Sequence, residues 1–426
     1  MHQRVHDFLE EQSSIYDYQF GFRKNHSTTH ALIDLVEDIR QAIDGNKFAC
    51  GVFIDLQKAF DTVDHNILLK KLDHYGIRGV ANDWFKSYLK NRKQLVSISG
   101  FESNLRNMDF GVPQGSVLGP LLFLLYINDV HKAIKFCITR HFADDTNLLI
   151  NNNSLKQLQK DLNYDLRQLC NWLKANKISL NCTKTELIVF RHPNKQLNYN
   201  LKIKINGKKL EPTKQVKYLG VVLDPHLNWS YQTDGLATKL TRAVGMLAKI
   251  RHFVQTNTLR SIYFGIFSSL LTYGSQVWGQ FPNQNVHRLQ NIQNKAIRII
   301  NFSKYNDPVD PIYHKLKVLK LSDQVKLENF LFVHNSLNNK VPKPLRKSFT
   351  FMTENSSYTR SSTQNKMALP KARTLAYGLN SIKYRSVALW NVIANDFPLG
   401  SPHLKSISLC KKQFTKYLLD GYNPSS

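Results

Sequence analysis

The sequence predicts an α+β fold: a split βαβ sheet with helices, followed by a helical region and a small helical tail. Three observations predict it. Between residues 48 and 223, short apolar runs alternate with helical patterns in the order strand, helix, strand-turn-strand, helix, strand. After Asp224-Pro225 the character changes, and residues 231–335 are almost wholly helical in pattern. The 426 residues are 42% hydrophobic and 11% aromatic, enough for a sizeable core spread over two or three domains.

The elements follow in order. Residues 1–18 are helix-like, and Gln19-Phe20-Gly21-Phe22-Arg23-Lys24 breaks the pattern. Ser27-Thr28-Thr29 caps a helix whose apolar residues Ala31, Leu32, Leu35, Val36, Ile39 and Ile43 recur at helical spacing. Gly45-Asn46-Lys47 is a turn, and Phe48–Leu56 is strand-like. Helices are expected over Asp64–Leu72 and Ala81–Leu89. Gln94–Ser99 alternates as a strand does, with Asn107–Val112 as its partner. The Pro113–Gly119 loop leads into an apolar helix at Leu121–Ile127. Ile138–Phe142 and Thr146–Asn151 are strands flanking an Asp144-Asp145 turn, and Leu155–Lys174 is an amphipathic helix. Leu187–Phe190, Ile203–Ile205 and Val216–Leu223 are short strands. Pro342, Pro344 and a run of Ser, Thr and Asn mark a linker. The expected divisions are 1–226, a helical 227–336, a linker at 337–372 and a small helical region at 373–426.

Charge narrows the function. Lys and Arg number 58 against 31 Asp and Glu, a formal net charge of +27. That excess points to a polyanionic partner, with nucleic acid the first candidate. No segment reaches the roughly 20 apolar residues of a membrane span, and Met1–Asp7 has no signal-peptide apolar region. The five cysteines show no CxxC spacing and the 15 His no zinc-like pattern, so reduced thiols in an intracellular protein, without structural zinc, are expected. The compartment, nucleus or cytoplasm, stays open.

Two segments carry the chemistry: Phe53-Ile54-Asp55-Leu56-Gln57-Lys58-Ala59-Phe60-Asp61 and His141-Phe142-Ala143-Asp144-Asp145. Each places an Asp at the end of a strand-like run, so adjacent strands bring Asp55 and Asp144 to one sheet edge. Clustered carboxylates repel unless cations neutralise them. Two divalent ions about 3.5–4 Å apart do so in phosphoryl-transfer sites.

With Gly111-Val112-Pro113-Gln114-Gly115-Ser116 between them, these segments resemble reverse transcriptases, most nearly those of non-LTR, LINE-like retrotransposons. The resemblance implies a right-hand polymerase palm with partial fingers, followed by a helical thumb. It implies an RNA-directed DNA polymerase that joins deoxynucleoside triphosphates to a DNA or RNA primer on an RNA template, using two Mg²⁺ ions. Asp55 and Asp144 match the metal-ligating aspartates, and Asp145 assists the site or braces the turn. Asp61 caps the following helix in preference to binding metal. Phe60 matches the aromatic that excludes a 2′-hydroxyl, and Gln114 lies beside nucleotide and template. Lys184 matches the lysine near the leaving pyrophosphate, and Arg23 the finger-region contact to a phosphate. Tyr218-Leu219-Gly220 resembles the primer-grip hairpin, and the basic helices from Lys239 to Lys320 bind nucleic-acid backbone as a thumb does. The family's Arg-Pro-Ile-Ser-like segment is not found before Gln19, which reads as an N-terminal truncation. The alternative is a catalytically inactive nucleic-acid-binding remnant. An intron-encoded maturase lacks a separate zinc or DNA-binding module here, and a palm-type cyclase would need a glycine-rich acidic turn in place of Asp144-Asp145.

Overall fold

The computed structural model describes residues 1–280, 284–346, 349, 366–396 and 406–423. It divides into two units. The first comprises residues 1–31, 47–189 and 194–213, and the second 32–46, 190–193 and 214–426. The chain therefore enters the second unit early, at Leu32, which the sequential divisions did not anticipate.

Helix α1 (His2–Glu11) ends sooner than its sequence pattern suggests, and Ser13 turns the chain with φ 48°. Helix α2 (Thr28–Asp44) begins where the Ser27 hydroxyl accepts the His30 N–H at 3.2 Å. Strand β1 (Phe48–Ile54) is buried along its whole length, as a continuous apolar run demands. Helices α3 (His65–His74) and α4 (Val80–Leu89) follow.

The next segment differs from its expected pairing. Strands β2 (Lys93–Gln94), β3 (Ser97–Ile98), β4 (Phe101–Glu102) and β5 (Arg106–Asn107) form two short ladders, β2 with β5 and β3 with β4. Ser99 and Gly100, at φ 51° and 87°, close the hairpin. Two adjacent left-handed residues match the twist of antiparallel strands. The stretch after β5 pairs elsewhere: the Gly111 N–H donates to the Val63 carbonyl and the Val112 N–H to the Phe60 carbonyl, both at 2.8 Å.

Helix α5 (Gly119–Ile127) is apolar on every side, and eight of its nine residues are buried. It forms the centre of the first unit. Strands β6 (Ile138–Phe142) and β7 (Asp145–Asn152) form a hairpin, α6 (Leu155–Ala175) packs its apolar stripe inward, and β8 (Glu186–Phe190) completes an antiparallel-paired sheet in the order β6-β7-β1-β8. Cys50, Val52, Ile54, Leu148 and Ile150 join the core that includes α5 and α6. A small hairpin of β9 (Ile203–Ile205) and β10 (Lys208–Leu210) lies against α6.

In the second unit, β11 (Val216–Tyr218) and β12 (Val221–Leu223) are two strands where the apolar run read as one. Leu219 and Gly220, at φ 44° and 82°, make a two-residue turn between them. The Tyr273 hydroxyl donates to the Leu219 carbonyl at 2.7 Å and holds that turn. Helices α7 (Ser230–Ile250), α8 (Thr256–Tyr263), α9 (Ser269–Thr272), α10 (Ser275–Trp278), α11 (Gln284–Ile300), α12 (Asp310–Leu316), α13 (Leu321–Leu337) and α14 (Lys343–Arg346) follow. The expected linker contains α14, and residues 347–348 and 350–365 lie outside the described residues. Helices α15 (Ile382–Asp396) and α16 (Ile407–Asp420) both pack on α13.

The late segment is fastened to α2. The Asp44 carboxylate accepts the Thr374 N–H and hydroxyl at 2.7 and 2.6 Å and the Arg373 N–H at 3.0 Å. Glu37, only 4% exposed, accepts the Ile382 N–H at 2.8 Å and so caps α15 from another element. Arg40 donates to the Val277 carbonyl at 3.1 Å and the Asn380 carbonyl at 2.5 Å.

Candidate active site

The β1–β7 ladder ends on the pair Ile54 and Thr146. Asp55 follows Ile54 and Asp145 precedes Thr146, so both lie at the same end of the sheet. Asp144 is beside them in the β6–β7 turn, closed by the pair Phe142 and Asp145. Ala143 sits in that turn at φ 57°. A two-residue hairpin demands such a left-handed residue, although an alanine adopts it with strain.

Electrostatics confirm the gathering. The Asp145 carboxyl is pushed above the ordinary carboxylate range by loss of hydration, by Asp144 and by Asp55. Asp145 still keeps an edge open to solvent and Asp144 is half-buried, so desolvation is partial and the neighbouring charges matter. Among the described residues, no hydrogen bond or ion pair reaches any of the three carboxylates. Among the described residues, no group of three or more His, Cys, Asp or Glu side chains is placed to hold a metal ion. The donor set is oxygen-only, anionic and open. That composition fits Mg²⁺, which keeps waters and substrate phosphates beside one or two carboxylates.

The surroundings brace the turn. Residues 18–20 run beside β6, with the His141 N–H donating to the Tyr18 carbonyl at 3.0 Å and the Phe20 N–H to the His141 carbonyl at 2.7 Å. The His141 ring is buried, its pKa pushed down to about 3 by burial and by His131. Gly21 lies directly against the Asp144 turn, where an added Cβ would stand 2.4 Å from the Ala143 nitrogen. Sequence reasoning assigned no role to this glycine beyond the fingers pattern. Its signal was the Gln-x-Gly-Phe stretch, which says nothing of where the glycine packs.

On the other flank, the Asn181 N–H donates to the Asp55 carbonyl and the Gln57 N–H to the Ser179 carbonyl, each at 2.9 Å. These bonds tie the turn carrying exposed Lys184 to the segment carrying Asp55. Phe60 is half-buried and stacked on Phe123 of α5, with centroids 4.4 Å apart. The Gln114 amide donates to the Asp61 carboxylate at 3.0 Å. Gly111, at φ 87°, lets its loop approach within 2.9 Å of the Asp61 backbone, as measured from an added Cβ.

One expectation is corrected. Asp61 does not cap α3; Asp64 does, accepting the Ile67 N–H at 2.9 Å and the Lys177 ammonium at 2.7 Å. Arg23, expected at a phosphate, is engaged within the protein. It forms a fork with both Glu10 oxygens at 2.8 Å, also donates to the Tyr16 carbonyl at 2.9 Å, and its side chain is 6% exposed. Burial opposes the Glu10 charge, but the Arg23 hydrogen bond and charge outweigh it and hold that carboxyl below its ordinary range.

A carboxylate-lined sheet edge beside a Pro-Gln-Gly loop has the oxygen donors that metal-assisted phosphoryl transfer uses. A family model described as reverse transcriptase (RNA-dependent DNA polymerase) matches residues 1–223, and the chain belongs to that family. Its relatives are RNA-directed DNA polymerases of non-LTR retrotransposons. It is 31% identical over 339 residues to the probable RNA-directed DNA polymerase from transposon BS of Drosophila melanogaster, covering 76% of this chain and 36% of that protein. It is 29% identical over 326 residues to the RNA-directed DNA polymerase from mobile element jockey of the same organism, covering 73% and 34%. The chain thus spans about a third of the length of these relatives. Among solved structures, telomerase from Candida albicans in complex with a fragment of telomeric RNA aligns over 75% of this chain and 58% of its own, with 11% identity and a TM-score of 0.43. Among the described residues, no helix is long and apolar enough to cross a membrane.

Proposed function

We propose that this chain is an RNA-directed DNA polymerase that extends a primer 3′ end with deoxynucleoside triphosphates on an RNA template. The observation that carries this is the gathering of Asp55, Asp144 and Asp145 at one sheet end without a protein counter-charge, in a chain of this family. Asp55 and Asp144 would hold two Mg²⁺ ions. When bound, the ions supply activation of the attacking 3′-oxygen and neutralisation of phosphate charge.

The protein's own residues do the rest. The Gln114 loop, held through Asp61, lines the place of the templated base pair. Phe60, fixed by Phe123, excludes a 2′-hydroxyl by contact. Lys184 supports the leaving pyrophosphate by charge or by donating a proton. The turn at Leu219-Gly220 steadies the primer end, and the basic faces of α7 to α12 hold nucleic-acid backbone. The partial fingers and palm are assigned to residues 1–226 and the thumb to 227–336, and the protein works inside the cell.

The test is primer extension on a homopolymer RNA template with Mg²⁺ and labelled deoxynucleotide. Wild type extends, Asp55→Ala and Asp144→Ala do not, and all three bind RNA with equal affinity. Extension by either variant overturns the metal assignment. No extension by wild type, with salt-sensitive RNA binding retained, makes the chain a binding remnant.

A further inference from the structure

Outside the carboxylate site, the first unit carries a basic groove of about 460 Å³ between α6 and the β9–β10 hairpin. Arg167, Lys174, Lys202 and Lys204 line it, and all four are exposed. None of them has an acidic partner among the described residues, and no acidic residue lines the groove. Four like charges in one groove repel one another, and an anion spanning them relieves that repulsion.

The arrangement is built and not an accident of long side chains. The Asn163 amide donates to the Lys202 carbonyl and accepts the Lys204 N–H, each at 2.9 Å, while Gln159 accepts the Lys202 N–H at 2.6 Å. These bonds lock β9 to α6. Ile203 and Ile205 point into the core, so the alternating Lys202 and Lys204 point outward beside the helix.

An aromatic platform is formed by Tyr164 of α6 and Phe136 of the loop before β6. Tyr164 and Phe136 are exposed at 38% and 42%, and their rings meet edge-on at 5.7 Å. Arg167 lies over the Tyr164 ring and Lys135 over the Phe136 ring. Asp165, fully buried, accepts the N–H groups of Lys135, Phe136 and Cys137 at 2.7–3.0 Å and fixes that loop against α6. Exposed rings interleaved with cations are what unpaired bases and their phosphates require; an anionic membrane would need no such platform.

We infer that the α6 face from Phe136 to Lys204 is a second nucleic-acid site, which binds single-stranded RNA through its backbone charge and by base stacking. Its occupancy does not depend on polymerase activity.

The test uses the full chain carrying Asp144→Ala and a fluorescent 30-nucleotide oligouridine, read by anisotropy over a salt series. Replacing Arg167, Lys174, Lys202 and Lys204 by Gln makes the log–log salt slope shallower by about 3, as four lost phosphate contacts to a single strand require. Affinity falls at least tenfold. A charge-matched control at exposed Lys47, Lys70, Lys86 and Lys90 changes affinity less than twofold. Tyr164→Ser with Phe136→Ser lowers affinity about tenfold without altering the salt slope. Equal losses in groove and control variants, or none in the groove variant, overturn the site. So does a groove variant that loses binding to phosphatidylserine vesicles while keeping its affinity for RNA. Unchanged thermal melting in each variant shows that the fold is intact.

Discussion

The surroundings of Asp145 oppose its charge, and its pH behaviour follows from that. A carboxyl raised in the folded state binds a proton more tightly there than in the unfolded chain. Stability therefore falls as pH rises from about 4, the unfolded value, through the raised folded value. Asp145→Asn is expected to raise the melting temperature by about 1 °C at pH 7 in chelator, since screening of an exposed group keeps the effect near ~0.5 kcal/mol. The gain disappears toward pH 4 and shrinks when Mg²⁺ is added; differential scanning fluorimetry measures both. Arg23 makes the opposite kind of prediction. Arg23→Ala strands a carboxylate that is 35% exposed, so urea unfolding should show a loss of about 2–3 kcal/mol, less than for a fully buried pair. RNA affinity should not change, because that guanidinium is spent on Glu10. Gly21→Ala drives a methyl into the Ala143 backbone. A cost of about 1–3 kcal/mol and slowed primer extension are expected together, because the displaced turn carries Asp144.

At the level of elements, helix α3 shows how a cap is chosen. Asp61 and Asp64 both precede the helix, and sequence spacing favoured Asp61 for a cap. Asp64 wins because Lys177 and the buried Tyr126 hydroxyl also meet it. Asp64→Ala should cost about 1–2 kcal/mol in denaturant unfolding. Burial raises its pKa, but Lys177 and the backbone N–H groups pull it lower overall, so its contribution is present above about pH 4 and fades as pH falls through the depressed value. The central strands β1, β6, β7 and β8 were legible because their apolar runs are long and bounded by turns. The ladders from β2 to β5 were legible only as extended chain. All their residues are exposed, so no buried face fixed the register. The apolar run at 216–223 reads as one strand by pattern, and only the resemblance of Tyr218-Leu219-Gly220 to a hairpin marks its break. Asp55 and Asp144 were legible from motif and strand ends together. The Glu10–Arg23 fork and the packing of Gly21 were not, since both depend on contacts with no sequence period.

Across the molecule, the late segment on α2 is the least local feature. Asp44 and Thr374 are separated by 330 residues, and no pattern along the chain announces such a partner. Glu37→Ala removes the cap of α15 and should lower stability by about 1–2 kcal/mol, seen as a lower urea midpoint. The same pairing sets a timetable for synthesis. A ribosome adding about 5–20 residues per second takes on the order of 20–60 s to travel from Asp44 to Thr374. Throughout that interval α2 is complete but its carboxylates have no tail to hold. A nascent chain is thus open to proteases and chaperones at its second unit long after its catalytic motifs have been made.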